Sequence, residues 1–218
     1  MRLIPLYPLG LALFILLAAT GCSKSKMAPF PSVRMELGVV SLDGEDDLDS
    51  LFLDDGTAYR IVDIKRDYDI DTSFSRPRVL TYMQAQDGEA ILHDLVGIPL
   101  VFPEPESIES ALRPRDPLKP VRVWLGGNFL NLEYGIKAVD LSVHQVTFRE
   151  YIQQNDESTK VCIAVYHDRA DDIEGSTKKH LVSIPLGIYQ ERINKAFLLE
   201  ITLPTYDGIK KYTFEIKE

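Results

Sequence analysis

The residues best placed to do chemistry in this 218-residue chain lie near its start, where Leu17-Ala18-Ala19-Thr20-Gly21-Cys22 leads small side chains up to a cysteine behind an apolar run. That chemistry is lipidation: a thiol forms a thioether to diacylglycerol, and the slim residues before it pass through a peptidase cleft in extended form. Arg2 supplies the positive end of a leader and Leu9 to Ala19 its apolar stretch. A plain secretory leader or a short membrane anchor would leave Cys22 incidental. Pro5 and Pro8, however, interrupt the segment, and the uninterrupted apolar part falls short of the ~20 residues a spanning helix needs. The sequence therefore predicts removal of residues 1–21 and acyl chains on Cys22, each buried methylene contributing about 0.8 kcal/mol of membrane attachment.

Other chemistry-bearing residues carry less. The four histidines, His93, His144, His167 and His180, lie in no H-E-x-x-H frame, and no G-x-S-x-G elbow occurs. His167-Asp168 beside Asp171, Asp172 and Glu174 is the strongest cluster. It could ligate a metal for hydrolysis, or give His167 a carboxylate-oriented role as a base, but a histidine at a strand end before a solvated acidic turn is the commoner outcome. Ser183 falls within a strand with no glycine elbow behind it. Asp43 to Asp49 packs five acids into seven positions, yet Leu48 stands where a calcium loop needs its glycine, so a solvated acidic turn is expected. No catalytic residue, metal ligand or cofactor is assigned, and the expectation is a non-enzyme.

Composition narrows the partners. The net charge of −9 becomes −10 once Arg2 leaves with the leader, which disfavours nucleic acid and repels an anionic membrane surface, leaving the lipid as the attachment. With Cys22 acylated, Cys162 has no partner for a disulfide. It lies in Val161-Cys162-Ile163-Ala164-Val165-Tyr166, an apolar run that reads as a core strand holding an inert thiol.

These residues need elements to hold them, and the pattern is strand throughout. Residues 22–32, small, polar and proline-interrupted, read as a flexible tether. Residues 33–103 read as an OB-type barrel. Its strands begin with Val33 to Leu42 and a hairpin at Asp55-Gly56, where a tight turn demands positive φ. Arg78 to Met83 and Ala90 to Phe102 supply the rest, and barrel closure limits exposed edges. Prolines 103, 105, 114, 117 and 120 crowd a linker at 104–119, where Ser107 to Leu112 could make a turn or two of helix. Residues 120–218 then carry about seven strands with period-2 alternation, clearest in Leu130, Leu132, Tyr134 and Ile136, which predicts an antiparallel β-sandwich. Trp124 falls on the polar phase of its strand, which suits an edge or an interface. The fold class is thus all-β: a small barrel, a Pro-rich segment, a sandwich.

The chain resembles the NigD-like lipoproteins of Bacteroidetes. The resemblance rests on the site at Cys22, on Leu53-Asp54-Asp55-Gly56-Thr57, on Arg78-Val79, and on a series in the second half. That series is Gly127-Asn128-Phe129-Leu130-Asn131-Leu132, His144, Tyr166-His167-Asp168 and Leu181-Val182-Ser183-Ile184-Pro185-Leu186. The loop Arg169 to Gly175 matches the family's polar turn but is richer in acid. The resemblance implies an N-terminal OB domain, a C-terminal β-sandwich and a place in the cell envelope; only Cys22 carries over as a functional position. Ser23-Lys24-Ser25-Lys26 follows the cysteine where surface-displayed relatives tend to carry acids, which implies an outer-membrane anchor facing the periplasm. The expected function is a binding or assembly module for an envelope protein, peptide or glycan. The alternative is a bacteriocin-immunity lipoprotein that sequesters a toxin, a role suggested by a bacteriocin gene beside the family's name-giving member.

Overall fold

In the computed structural model the described residues are 32–43, 47–106, 115–154 and 158–217. The leader, Cys22, the tether up to Pro31, the middle of the acidic turn at 44–46 and the helical stretch expected at Ser107 to Leu112 lie outside them. Two β bodies follow one another. Strands β1 (Arg34–Leu42), β2 (Leu48–Leu53), β3 (Ala58–Ile64), β4 (Arg78–Gln86) and β5 (Glu89–Gly97) close into a barrel in the order β1-β2-β3-β5-β4. The barrel closes around Val40, Leu51, Val79, Met83 and Leu92, each fully buried, and burial of each such side chain contributes about 1.5–3 kcal/mol. The Asp55-Gly56 turn forms as expected, with Gly56 at φ +87° and its N–H donating to the Leu53 carbonyl.

The second body pairs two sheets. One has the order β13-β12-β10-β9-β6, formed by β6 (Glu104–Pro105), β9 (Gln145–Gln154), β10 (Thr159–Asp168), β12 (Phe197–Thr205) and β13 (Gly208–Ile216). The other, β11-β8-β7, is formed by β7 (Lys119–Gly126), β8 (Phe129–Ala138) and β11 (Ser176–Pro185). Alternate residues of β8 (Leu130, Leu132, Tyr134, Ile136) meet Val161, Ile163 and Val165 of β10 and Leu199, Ile201 and Leu203 of β12 in one core, as two facing sheets require.

Two details differ from the alternation pattern. First, β10 and β12 run parallel, Ile163 opposite Ile201, because the chain crosses to the other sheet as β11 before returning, and a crossover delivers the strand in the same direction. Second, the return passes through a helix, α1 (Gly187–Ile193), that the sequence pattern hid. Its first residue is glycine and its N-cap, Leu186, makes no side-chain cap. It is held instead by fully buried Tyr189, by Arg192 bonded to Glu150 at 2.8 Å, and by Asn194 in the left-handed conformation that ends it. The proline-rich segment is stitched to the sandwich. Val101 N–H donates to Ser183, β6 pairs with β9, Arg115 bridges His167, and Leu118, with no exposed surface, donates to Pro204.

Candidate functional site

The junction of barrel and sandwich is built on one arginine. Arg78 opens β4 and is 2% exposed. Its guanidinium forks onto the Asp54 carboxylate, with Nη2 at 2.7 Å from Oδ2 and Nη1 bonded to Oδ1, and crosses into the sandwich to donate to Asn131 Oδ1 at 3.1 Å. Ser183 Oγ donates to the same oxygen at 2.7 Å, and the ring of Phe129 lies 4.2 Å from the guanidinium carbon. A planar, permanently charged fork suits this bidentate and stacked geometry. Gly126 and Gly127 of the β7–β8 turn press against Asp54 from the other side. A Cβ at Gly126 would enter the Asp54 carboxylate, and Gly127 N–H donates to the Asp54 carbonyl at 3.1 Å. Residues 33–218 accordingly form a single compact unit.

Beside this clamp runs a cleft of 640 Å³, within the range of ligand-binding clefts. Met35, Leu37 and Leu80 form the barrel wall, while Trp124 and Leu181 face them from the three-stranded sheet. Asp54 and Asp55 lie at the clamp end, and Arg122, Glu133 and Lys179 supply charge on the sandwich side. The apolar wall continues around the barrel: Met35 is opposite Tyr82 and Leu80 opposite Val96, leaving Met35 56%, Tyr82 44% and Val96 50% exposed. Those exposures are large for side chains that no core claims.

The strongest cluster in the sequence assembles differently from its spacing. His167, 2% exposed, places Nδ1 3.2 Å from the Asp116 carbonyl, which can only accept, and Nε2 2.9 Å from His144 Nδ1. His144 Nε2 lies 3.0 Å from Asp172 Oδ2, an oxygen that also accepts from the Val139 and Asp140 N–H groups. Burial holds His167 below the ordinary histidine range, and the His144 bond holds the Asp172 carboxyl below the ordinary carboxylate range. The acids expected beside His167 are dispersed: Glu174 pairs with Lys137 at 2.8 Å, and Asp168 accepts from the Ala170 N–H at 2.8 Å. Among the described residues no three His, Cys, Asp or Glu converge on a metal position. Ser183 is fully buried in the Arg78 network. Cys162 is buried on the sheet face opposite to Val161 and Ile163, in register with Tyr151 and Glu200.

A family model for the NigD-like C-terminal beta sandwich domain matches residues 100–216. The chain belongs to the NigD-like family. Among solved structures it is similar to a NigD-like immunity protein from Bacteroides caccae at TM-score 0.68 and 21% identity, covering 85% of this chain and 98% of that one. It is also similar to a protein described as toxin-related from Parabacteroides distasonis, at TM-score 0.64 and 15% identity, over 85% and 94% of the two chains. A third, a protein of unknown function from Bacteroides vulgatus, aligns at TM-score 0.65 and 13% identity over 86% and 91%. No curated protein matches. The NigD-like sandwich match begins at residue 100, where Leu100 bridges Ser183 and the chain joins the sandwich.

The NigD-like residues quoted from the sequence gather at two places in the fold. Asp54, Arg78, Gly127, Phe129, Asn131 and Ser183 build the clamp, and His144 and His167 build the buried relay. What sequence reasoning missed was the cleft itself. The available signal was β1, which is apolar (Met35, Leu37, Val39) on the phase opposite to buried Gly38 and Val40, together with Trp124 on a polar phase.

Proposed function

We propose that this NigD-like chain is a lipid-anchored envelope protein that binds another molecule in the cleft beside the Arg78 clamp and performs no catalysis. The observation that carries this reading is the cleft's construction. Two β bodies joined by the Arg78–Asp54 ion pair frame 640 Å³ lined by exposed Met35 and by half-buried Leu80 and Trp124, and an apolar cleft with a few polar groups is what a binding site requires. The absence of catalysis is supported by what the candidate groups already do. The His144–His167 relay turns inward and ends on a backbone carbonyl, and the Ser183 hydroxyl is consumed by Asn131.

Attachment through acyl chains on Cys22, with the body facing the periplasm, belongs to the same proposal and rests on the sequence at Leu17 to Lys26. A photo-crosslinking residue in place of Leu80, incorporated in cells, should capture an envelope molecule. The same group in place of Lys210, on the far edge strand β13, should not. Capture from both positions, or from neither, overturns the proposal.

Similarity to a NigD-like immunity protein favours a second reading, in which the bound molecule is a toxin and the net charge of −9 steers a cationic peptide. Deleting the gene would then sensitise cells to a bacteriocin encoded nearby.

A further inference from the structure

Within the cleft one charge is uncommitted. Asp54 is neutralised by Arg78, Glu36 lies 3.5 Å from Arg34, and Asp55 accepts the Thr57 N–H at 2.8 Å. Glu133, the cross-strand neighbour of Arg122, reaches Lys179 at 3.6 Å instead. Among the described residues no carboxylate pairs with Arg122. Its guanidinium carbon lies 4.4 Å from the Trp124 ring centroid. Stacking uses the face of a guanidinium and leaves its in-plane N–H donors for an acceptor, and a carboxylate fits that edge with two parallel bonds. The strand bearing both residues, β7, is an outer strand of its sheet and pairs only with β8 among the described residues. It therefore offers a free backbone edge that an extended chain can join.

We infer that the cleft recognises the C-terminal end of an extended peptide. The peptide's main chain lies along β7, its last, bulky apolar side chain enters between Leu80 and Trp124, and its α-carboxylate sits on Arg122. A hydrocarbon acid would satisfy Arg122 but leave the β7 edge unused. A cationic peptide would meet Arg122 with like charge. The inference rests on the cleft being the binding site.

Trp124 is the chain's only tryptophan, so its fluorescence reads occupancy directly. The full lipidated protein in nanodiscs would be titrated with the pentapeptide Thr-Val-Thr-Val-Phe as the free acid, with its C-terminal amide, and with 3-phenylpropanoate, which keeps the carboxylate and ring but lacks the main chain. The free acid is expected to bind about tenfold more tightly than the amide, the equivalent of ~1.4 kcal/mol, and more tightly than phenylpropanoate. Arg122→Gln, at an exposed position, should erase the acid–amide difference, while Lys210→Gln, on β13 outside the cleft, should preserve it. Equal binding of acid and amide, or phenylpropanoate binding as tightly as the pentapeptide, overturns the inference and leaves the cleft as the site. Silence with every probe also overturns it. If Leu80 still crosslinks a partner in that case, the cleft survives and the peptide end does not; if crosslinking fails as well, both fall.

Discussion

Arg78 shows how one side chain sets the arrangement of two bodies. Removing a buried cation leaves the Asp54 carboxylate and the Asn131 oxygen without their partner, which costs about 3–5 kcal/mol when such a pair is broken on one side. Arg78→Ala is therefore expected to lower stability by that order and to split the calorimetric unfolding of the protein into separate barrel and sandwich transitions. A single unshifted transition would contradict the clamp. His167 offers a second residue-scale test through pH. Its folded-state value lies below the ordinary 6.5, so above about pH 6.5 neither folded nor unfolded chain carries the proton and the full contribution is present. As pH falls through that value the unfolded chain takes up a proton that the folded one refuses, because burial disfavours the charged imidazolium. Stability is then lost toward the lower folded value. Gln in place of His167 can still donate to the Asp116 carbonyl and keeps a polar atom beside His144 without titrating. The stability advantage of the natural protein over His167→Gln, measured by chemical denaturation at pH 8 and pH 5, should thus shrink at pH 5. An unchanged advantage would dismiss the penalty for charging buried His167.

At the scale of elements, the β7–β8 turn does two jobs. Gly127, at φ +55°, reverses the chain, and Gly126 lets the Asp54 carboxylate approach a backbone that bears no side chain. Gly126→Ala forces that carboxylate away from Arg78 without touching either hydrophobic core. Its predicted signature is loss of stability together with an altered Trp124 emission, since Trp124 lies two residues away on β7. The signature is checked by comparing both signals with those of Gly56→Ala, whose added methyl meets nothing within 4 Å and so reports the cost of positive φ alone. Helix α1 teaches the opposite lesson about elements. Seven residues opened by glycine and capped by no side chain carry no helical signature, and Tyr189 in the core decides the matter.

For the whole molecule, attachment is the first question. Cys22→Ser removes the only atom that can carry the thioether at that position. The protein should then leave the membrane fraction for the soluble envelope fraction or retain its leader, as fractionation and intact mass would report; membrane retention with the leader removed would count against lipidation. The amino-acid pattern by itself determined the all-β class, a barrel followed by a sandwich and nearly every strand, because period-2 burial and turn chemistry are local and are written residue by residue; the family came from the resemblance of its motifs. Arg78 and Asp54, 24 residues apart, meet Asn131 and Ser183 only when the chain folds, and the parallel β10–β12 pair, the His144–His167–Asp172 relay and the cleft beneath Trp124 likewise join distant segments. Such features arise from how the packed faces are oriented in three dimensions, and only the tertiary structure could decide them, since contact between remote residues leaves no periodic trace along the chain.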